Sequence, residues 1–174
     1  MNHPLIIDIT LFVFLLISIY TDIFYRKVFN FTSFPAIILG IGFNFLFFGM
    51  PGLKASIIGL AAGFLCLFIF YLLGGIGAGD VKFMAAVGAL KGLDFTLMGF
   101  LYGAVVGGIA AIAAMMIKKR FRSGIKKVFF ALLGFLTFKS PDSLKFKEEK
   151  AIYLPYSVFL SIGIFIRWLE LHLK

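Results

Sequence analysis

Five stretches of this chain stay apolar for about 17 to 23 residues each, and that repetition constrains its fold more than any other feature. An α-helix rises 1.5 Å per residue, so about 20 apolar residues cross the ~30 Å hydrocarbon core of a bilayer. The runs cover residues 4–20, 31–49, 55–73, 95–117 and 151–169, and a sixth, 81–90, has half the required length. Composition agrees: of 174 residues, 61% are hydrophobic and 14% charged, too little polar surface to wet the outside of a soluble domain. The pattern predicts an all-α membrane protein, a polytopic bundle of about six transmembrane helices forming one domain over residues 1–174.

Charge sets the orientation. The formal net charge is +9, and most of the basic residues lie in one stretch, 118–150, between two apolar runs. With the N-terminus outside, Arg26, Lys27, Lys82 and the 118–150 loop all face the cytoplasm, leaving Lys54, Lys91, Arg167 and Lys174 outside. The opposite topology would translocate the basic majority. The same loop offers a contact for anionic lipid head groups. Within it, residues 129–138 form an apolar run bracketed by Lys126, Lys127 and Lys139, too short to span and suited to an interfacial or re-entrant helix. Nucleic acid is excluded as a partner, because no base-reading fold or aromatic platform accompanies the charge. Cys66 stands alone, so the chain has no internal disulfide and no multi-cysteine zinc site, and no cofactor or metal is expected. The N-terminus lacks the basic region and cleavage site of a secretory signal, so the first run is expected to be retained.

Two aspartates carry the chemical interest. Asp22 closes the first run, in a polar turn over 21–30 that also holds Arg26 and Lys27. Asp80 follows the glycine-rich link Gly77-Ala78-Gly79. The charge-derived topology puts both on the cytoplasmic side. The ten residues of run 81–90 give only about 15 Å of helix, which draws Asp80 below the membrane surface. Ionisable residues at such depth are costly and mark functional sites. Two carboxylates at one site share a proton, so one activates a water while the other polarises a carbonyl. The bland readings are definite too. Asp22 is also what an ordinary interfacial residue beside Arg26 and Lys27 looks like, and glycine pairs such as Gly59/Gly63 and Gly103/Gly107 serve helix packing. Asp8 and Asp94 read as outer-surface residues, Glu148 and Glu149 as a solvated stretch, and His3 and His172 lie at the extreme termini.

Three segments together resemble a known family. Gly77-Ala78-Gly79-Asp80-Val81-Lys82, followed by Phe83-Met84-Ala85-Ala86-Val87-Gly88, is similar to the Gly-x-Gly-Asp segment of the prepilin peptidases, which are membrane aspartic proteases. Asp22 followed by Arg26-Lys27-Val28-Phe29-Asn30 resembles their first motif, and Leu154-Pro155-Tyr156-Ser157-Val158-Phe159 the start of their last helix. Val28-Phe29-Asn30 departs from the proline that many members place before the asparagine. The chain also lacks the paired-cysteine insertion associated with N-methylation in larger members. The likeness is therefore to the short forms serving tight-adherence pili or archaeal flagellins and pilins, and methyltransferase activity is not expected. The resemblance implies removal of a leader peptide from a prepilin-like precursor at the cytoplasmic face of the inner membrane, just before the substrate's hydrophobic helix. It implies Asp22 and Asp80 as the catalytic pair, Gly77 and Gly79 as shapers of the loop, and Pro155 as the start of the sixth helix. Lys82 would tune the pair or serve as a positive-inside anchor. The competing readings are a small transporter or channel with Asp22 and Asp80 as a proton or cation site, and a non-catalytic pilus assembly partner. A transporter would show interrupted helices in matching halves, and only the link before Asp80 is of that kind.

Overall fold

A computed structural model of the chain describes residues 4–72, 76–117 and 156–173, and every regular element among them is helical. In order these are α1 (Leu5–Tyr25), α2 (Asn30–Leu72), α3 (Ala78–Lys91), α4 (Leu93–Ile117) and α5 (Tyr156–His172). The chain forms two compact units, one of Met1–Val106 with Pro155–Lys174 and one of Gly107–Leu154. Both aspartates belong to the first. Of the second, the described residues are the C-terminal part of α4. The basic loop 118–150, its expected interfacial helix at 129–138, and Pro155 lie outside the described residues.

Three helices are long and apolar enough to cross a membrane: Leu5–Tyr25, Asn30–Leu72 and Leu93–Ala114. They expose large apolar side chains such as Leu16, Phe31, Leu46 and Val105, as a lipid-facing surface requires. The 43 residues of α2 amount to about 65 Å, twice the hydrocarbon thickness. Its backbone breaks at Gly49, where φ is 63° and ψ −145°, a conformation open to glycine alone without strain. The break gives two arms, residues 30–48 and 50–72, in place of the turn expected at Pro51–Gly52. Pro51 instead sits in the first turn of the second arm, where its missing N–H has no partner to lose. Among the described residues, length and composition qualify three of the five helices as membrane-crossing, so the expected number of about six spans is not established.

The short helix α3 is the core. Val81 and every residue from Phe83 to Lys91 are buried. Small residues let α2 close on it: Gly40 faces the Ala89 backbone, Gly59 faces Gly88, and Gly63 faces Met84. A Cβ at Gly40 would stand 2.8 Å from the Ala89 carbonyl carbon, so these glycines are required by close approach. A helix that ends inside protein leaves its last carbonyls without partners. Here α2 supplies them from both arms: Asn44 Nδ2 donates to the carbonyls of Ala89 and Leu90, each at 3.1 Å, and Ser56 Oγ donates to Ala89 at 2.6 Å. Gly92 caps the end with φ 79°, its N–H on the Gly88 carbonyl at 2.8 Å. Between α4 and α5 the same small-residue logic applies, with Gly99 against Ile164 and Gly103 against Leu160 and Gly163.

Three expectations need correction. The first helix does not stop before Asp22; it runs to Tyr25 and ends at Arg26, whose backbone is left-handed at φ 55° with its N–H on the Asp22 carbonyl. The helix continues because Thr21 and Asp22 face the interior, where Asp22 finds donors. The glycine link is shorter than expected, since Gly79 and Asp80 are already helical. At 14 residues, α3 spans about 21 Å, with Asp80 in its first turn and about 17 Å of helix from Asp80 to Lys91. Asp8 is no surface residue: it is buried and ion-paired with Lys91, itself buried at the end of α3. Charges removed from water need such a partner. Asp94 is exposed, as expected.

Candidate active site

Asp22 lies in the last turn of α1 on the face that also buries Leu11, Leu15 and Ser18, and is 4% exposed. Its Oδ2 accepts two hydrogen bonds from one residue of α5: Ser157 Oγ–H at 2.7 Å and the Ser157 backbone N–H at 3.2 Å. The first N–H groups of a helix have no partner within it, and its N-terminus favours negative charge. Asp22 therefore caps α5 from another helix, and α5 in turn holds the Asp22 carboxylate in place.

Asp80 reaches the same place from α3. It occupies the first turn, with Gly77 as the N-cap and the Asp80 N–H on the Gly77 carbonyl at 3.1 Å. It stands outside the three membrane-crossing helices. Its carboxyl is pushed up to about 7, first by burial and then by the negative charge of Asp22, with a backbone hydrogen bond at Gly77 opposing. The two carboxylates are thus close enough to influence each other's ionisation. Tyr156, the first residue of α5, is likewise within range of the Asp80 charge. The start of α5 thus bonds Asp22 and lies within electrostatic range of Asp80.

The surrounding motif residues divide by task. Gly79 packs on the turn between α1 and α2: an added Cβ would meet Val28 Cβ and N at 3.2 Å and its carbonyl oxygen at 3.3 Å. Gly77 has an ordinary φ of −77°, and an added Cβ would lie 3.6 Å from Asp80 Oδ2. Its lack of a side chain keeps space open beside that carboxyl. Lys82 Nζ donates to Asn30 Oδ1 at 2.7 Å, joining the segment that holds Asp80 to the first residue of α2. The residues flanking the two aspartates are therefore linked to each other. The reading of the residues assigned no role to Ser157, Tyr156 or Asn30. All three stand inside the segments that resemble the prepilin peptidase motifs, yet periodicity does not show which helix end meets which carboxylate.

A helical membrane protein with two carboxylates brought together by separate helices has the groups needed to activate water without a nucleophilic side chain. Residues 9–112 match the type IV leader peptidase family, so well over half of the chain is covered and the chain belongs to that family. The matched region contains Asp22 and Asp80 but not Ser157. The prepilin leader peptidase/N-methyltransferase of Bacillus subtilis (strain 168) is 33% identical over 64 residues, which is 36% of this chain and 26% of that relative. The chain thus aligns with about a quarter of the length of the curated relative it matches. No solved structure matches it.

Proposed function

We propose that the chain is a membrane aspartic endopeptidase that removes the leader from prepilin-like precursors. The observation that carries this is the approach of Asp22 on α1 to Asp80 on α3, where burial first and the Asp22 charge second push the Asp80 carboxyl up to about 7. Family membership and the activity in the relative's name support the substrate class.

In the proposed reaction the pair holds one proton. Asp80 carries it and donates a hydrogen bond to the scissile carbonyl oxygen. Asp22, held by its two bonds from Ser157, takes a proton from the attacking water. Water oxygen bonds to the carbonyl carbon, and the tetrahedral intermediate collapses with the C–N bond breaking and a proton passing to the leaving amine. The open space beside Gly77 admits the extended peptide to the Asp80 side. The substrate's hydrophobic helix stays in the bilayer, which places the cut at its junction with the leader, on the cytoplasmic face of the inner membrane. Lys82 acts through Asn30 to hold the start of α3 against α2.

The test is reconstitution in liposomes with candidate prepilin-like substrates, scoring leader release by mass shift and mapping the new N-terminus. A single cut at the leader–helix junction is the expected result. A wild-type protein that cuts none of them, or cuts within the hydrophobic helix, contradicts the proposal.

A further inference from the structure

The helices α1 and α3 run antiparallel, and each carries a charged residue near both ends of their contact. Asp8 pairs with Lys91 at one end, and Asp22 lies within electrostatic range of Asp80 at the other. From Asp8 to Asp22 is fourteen residues, about 21 Å of helix; from Asp80 to Lys91 is eleven, about 17 Å. The long Lys91 side chain makes up the difference. Its Nζ bonds Asp8 Oδ1 and lies 5.2 Å from the centre of the Phe95 ring. The ion-paired side chains are only 2% and 7% exposed, and the His172 ring on α5 reaches Asp8 Oδ2 at 3.7 Å.

Between the ends the contact is apolar and non-directional. Phe14 stacks on Phe83 at 5.3 Å, and apolar stacking of this kind is tolerant of sliding. By contrast, α3 is keyed to α2 by Asn44, Ser56 and the facing glycines, so α2 and α3 behave as one block. What remains is how that block stands along α1. A buried ion pair adds little net stability, because desolvation offsets the attraction, and its best-attested use is to specify register.

We propose that Asp8 and Lys91 are positioning residues for the carboxylate pair: their buried ion pair sets the axial register of α3 on α1, and so the level at which Asp80 meets Asp22. The effect on turnover rests on the peptidase reading, whereas the effect on register does not. A misplacement of about 1 Å in a catalytic group costs on the order of 100-fold in rate. One helical residue of slip is 1.5 Å.

Two measurements test this. The first compares wild type, Lys91→Arg, Lys91→Met and the double variant Asp8→Asn/Lys91→Met in prepilin cleavage. The double variant leaves no buried charge unpaired and is expected to keep its fold, with thermal unfolding as the control. Its kcat is expected to fall on the order of 100-fold with KM little changed, and Lys91→Arg is expected to recover most of the rate. The second needs no activity: Asp22→Cys/Asp80→Cys in a Cys66→Ser background is cross-linked with and without the Asp8→Asn/Lys91→Met change. Cross-link yield is expected to drop severalfold when the ion pair is removed. A double variant that keeps both wild-type kcat and full cross-linking overturns the proposal. Loss of cross-linking in a protein whose wild type cuts no prepilin supports the register claim and removes the peptidase reading instead.

Discussion

Replacing Ser157 with alanine isolates the link between α5 and Asp22. The change removes one hydroxyl and leaves the backbone N–H on the same carboxylate oxygen. The lost bond is 2.7 Å, buried, and made to a group that bears charge in the proposed reaction. Hydrogen bonds to charged groups are worth about 1.5–3 kcal/mol, and since the 3.2 Å backbone donor survives, the low end applies. If that energy orients Asp22 in the transition state, about 1.5–2 kcal/mol corresponds to roughly a 10- to 30-fold loss in kcat. Threonine keeps a hydroxyl at the same place and should recover most of the rate. The assay is single-turnover leader release in liposomes, with thermal unfolding in detergent as a control for folding. A Ser157→Ala protein that cuts within twofold of wild type would refute the idea that α5 orients Asp22.

Other perturbations separate the remaining parts. Gly79→Ala pushes a methyl group against Val28 and should lower both stability and cleavage, whereas Gly77→Ala should fold normally and Gly77→Val should fold but cut poorly, as thermal unfolding and leader release will show. Lys82→Met and Asn30→Ala break the same bond, so each should cost about 0.5–1.5 kcal/mol in unfolding, and the double variant should cost no more than the larger single effect. The raised Asp80 carboxyl has a defined pH signature. Between an ordinary carboxylate value of about 4 and the folded value of about 7, the folded chain holds a proton that the unfolded chain releases, so this group lowers stability as pH rises through that window. Above about 7 its contribution is flat, and unfolding in Asp80→Asn should lack that decline.

The apolar run lengths made the helical class and most element positions legible, because lipid demands a fixed number of residues per crossing. The ends were less legible. A polar residue such as Asp22 reads as the end of an apolar run, yet its helix continues to Tyr25 because Ser157, some 135 residues later, supplies the hydrogen bonds. Pro51–Gly52 reads as a turn, but the reversal falls at Gly49, where the backbone itself takes a positive φ. Asp8 and Lys91 look like surface charges until α1 and α3 are laid antiparallel and each becomes the partner of the other. In the site, the two aspartates stood out because ionisable residues are expensive in lipid. Ser157 and Asn30 did not, since a serine or asparagine near a helix start is common and its partner is fixed only by packing. Gly77 and Gly79 read alike in sequence, and the structure gives them different tasks.

The most direct measurement is leader removal by wild type, Asp22→Asn and Asp80→Asn under matched reconstitution, with folding confirmed for each. Asparagine keeps the size of either side chain and removes its ability to exchange a proton, so each change should cost on the order of 10²–10⁴-fold in rate. Either variant cutting at the wild-type rate, on a substrate that the wild type processes, would contradict the assignment of Asp22 and Asp80 as a catalytic pair.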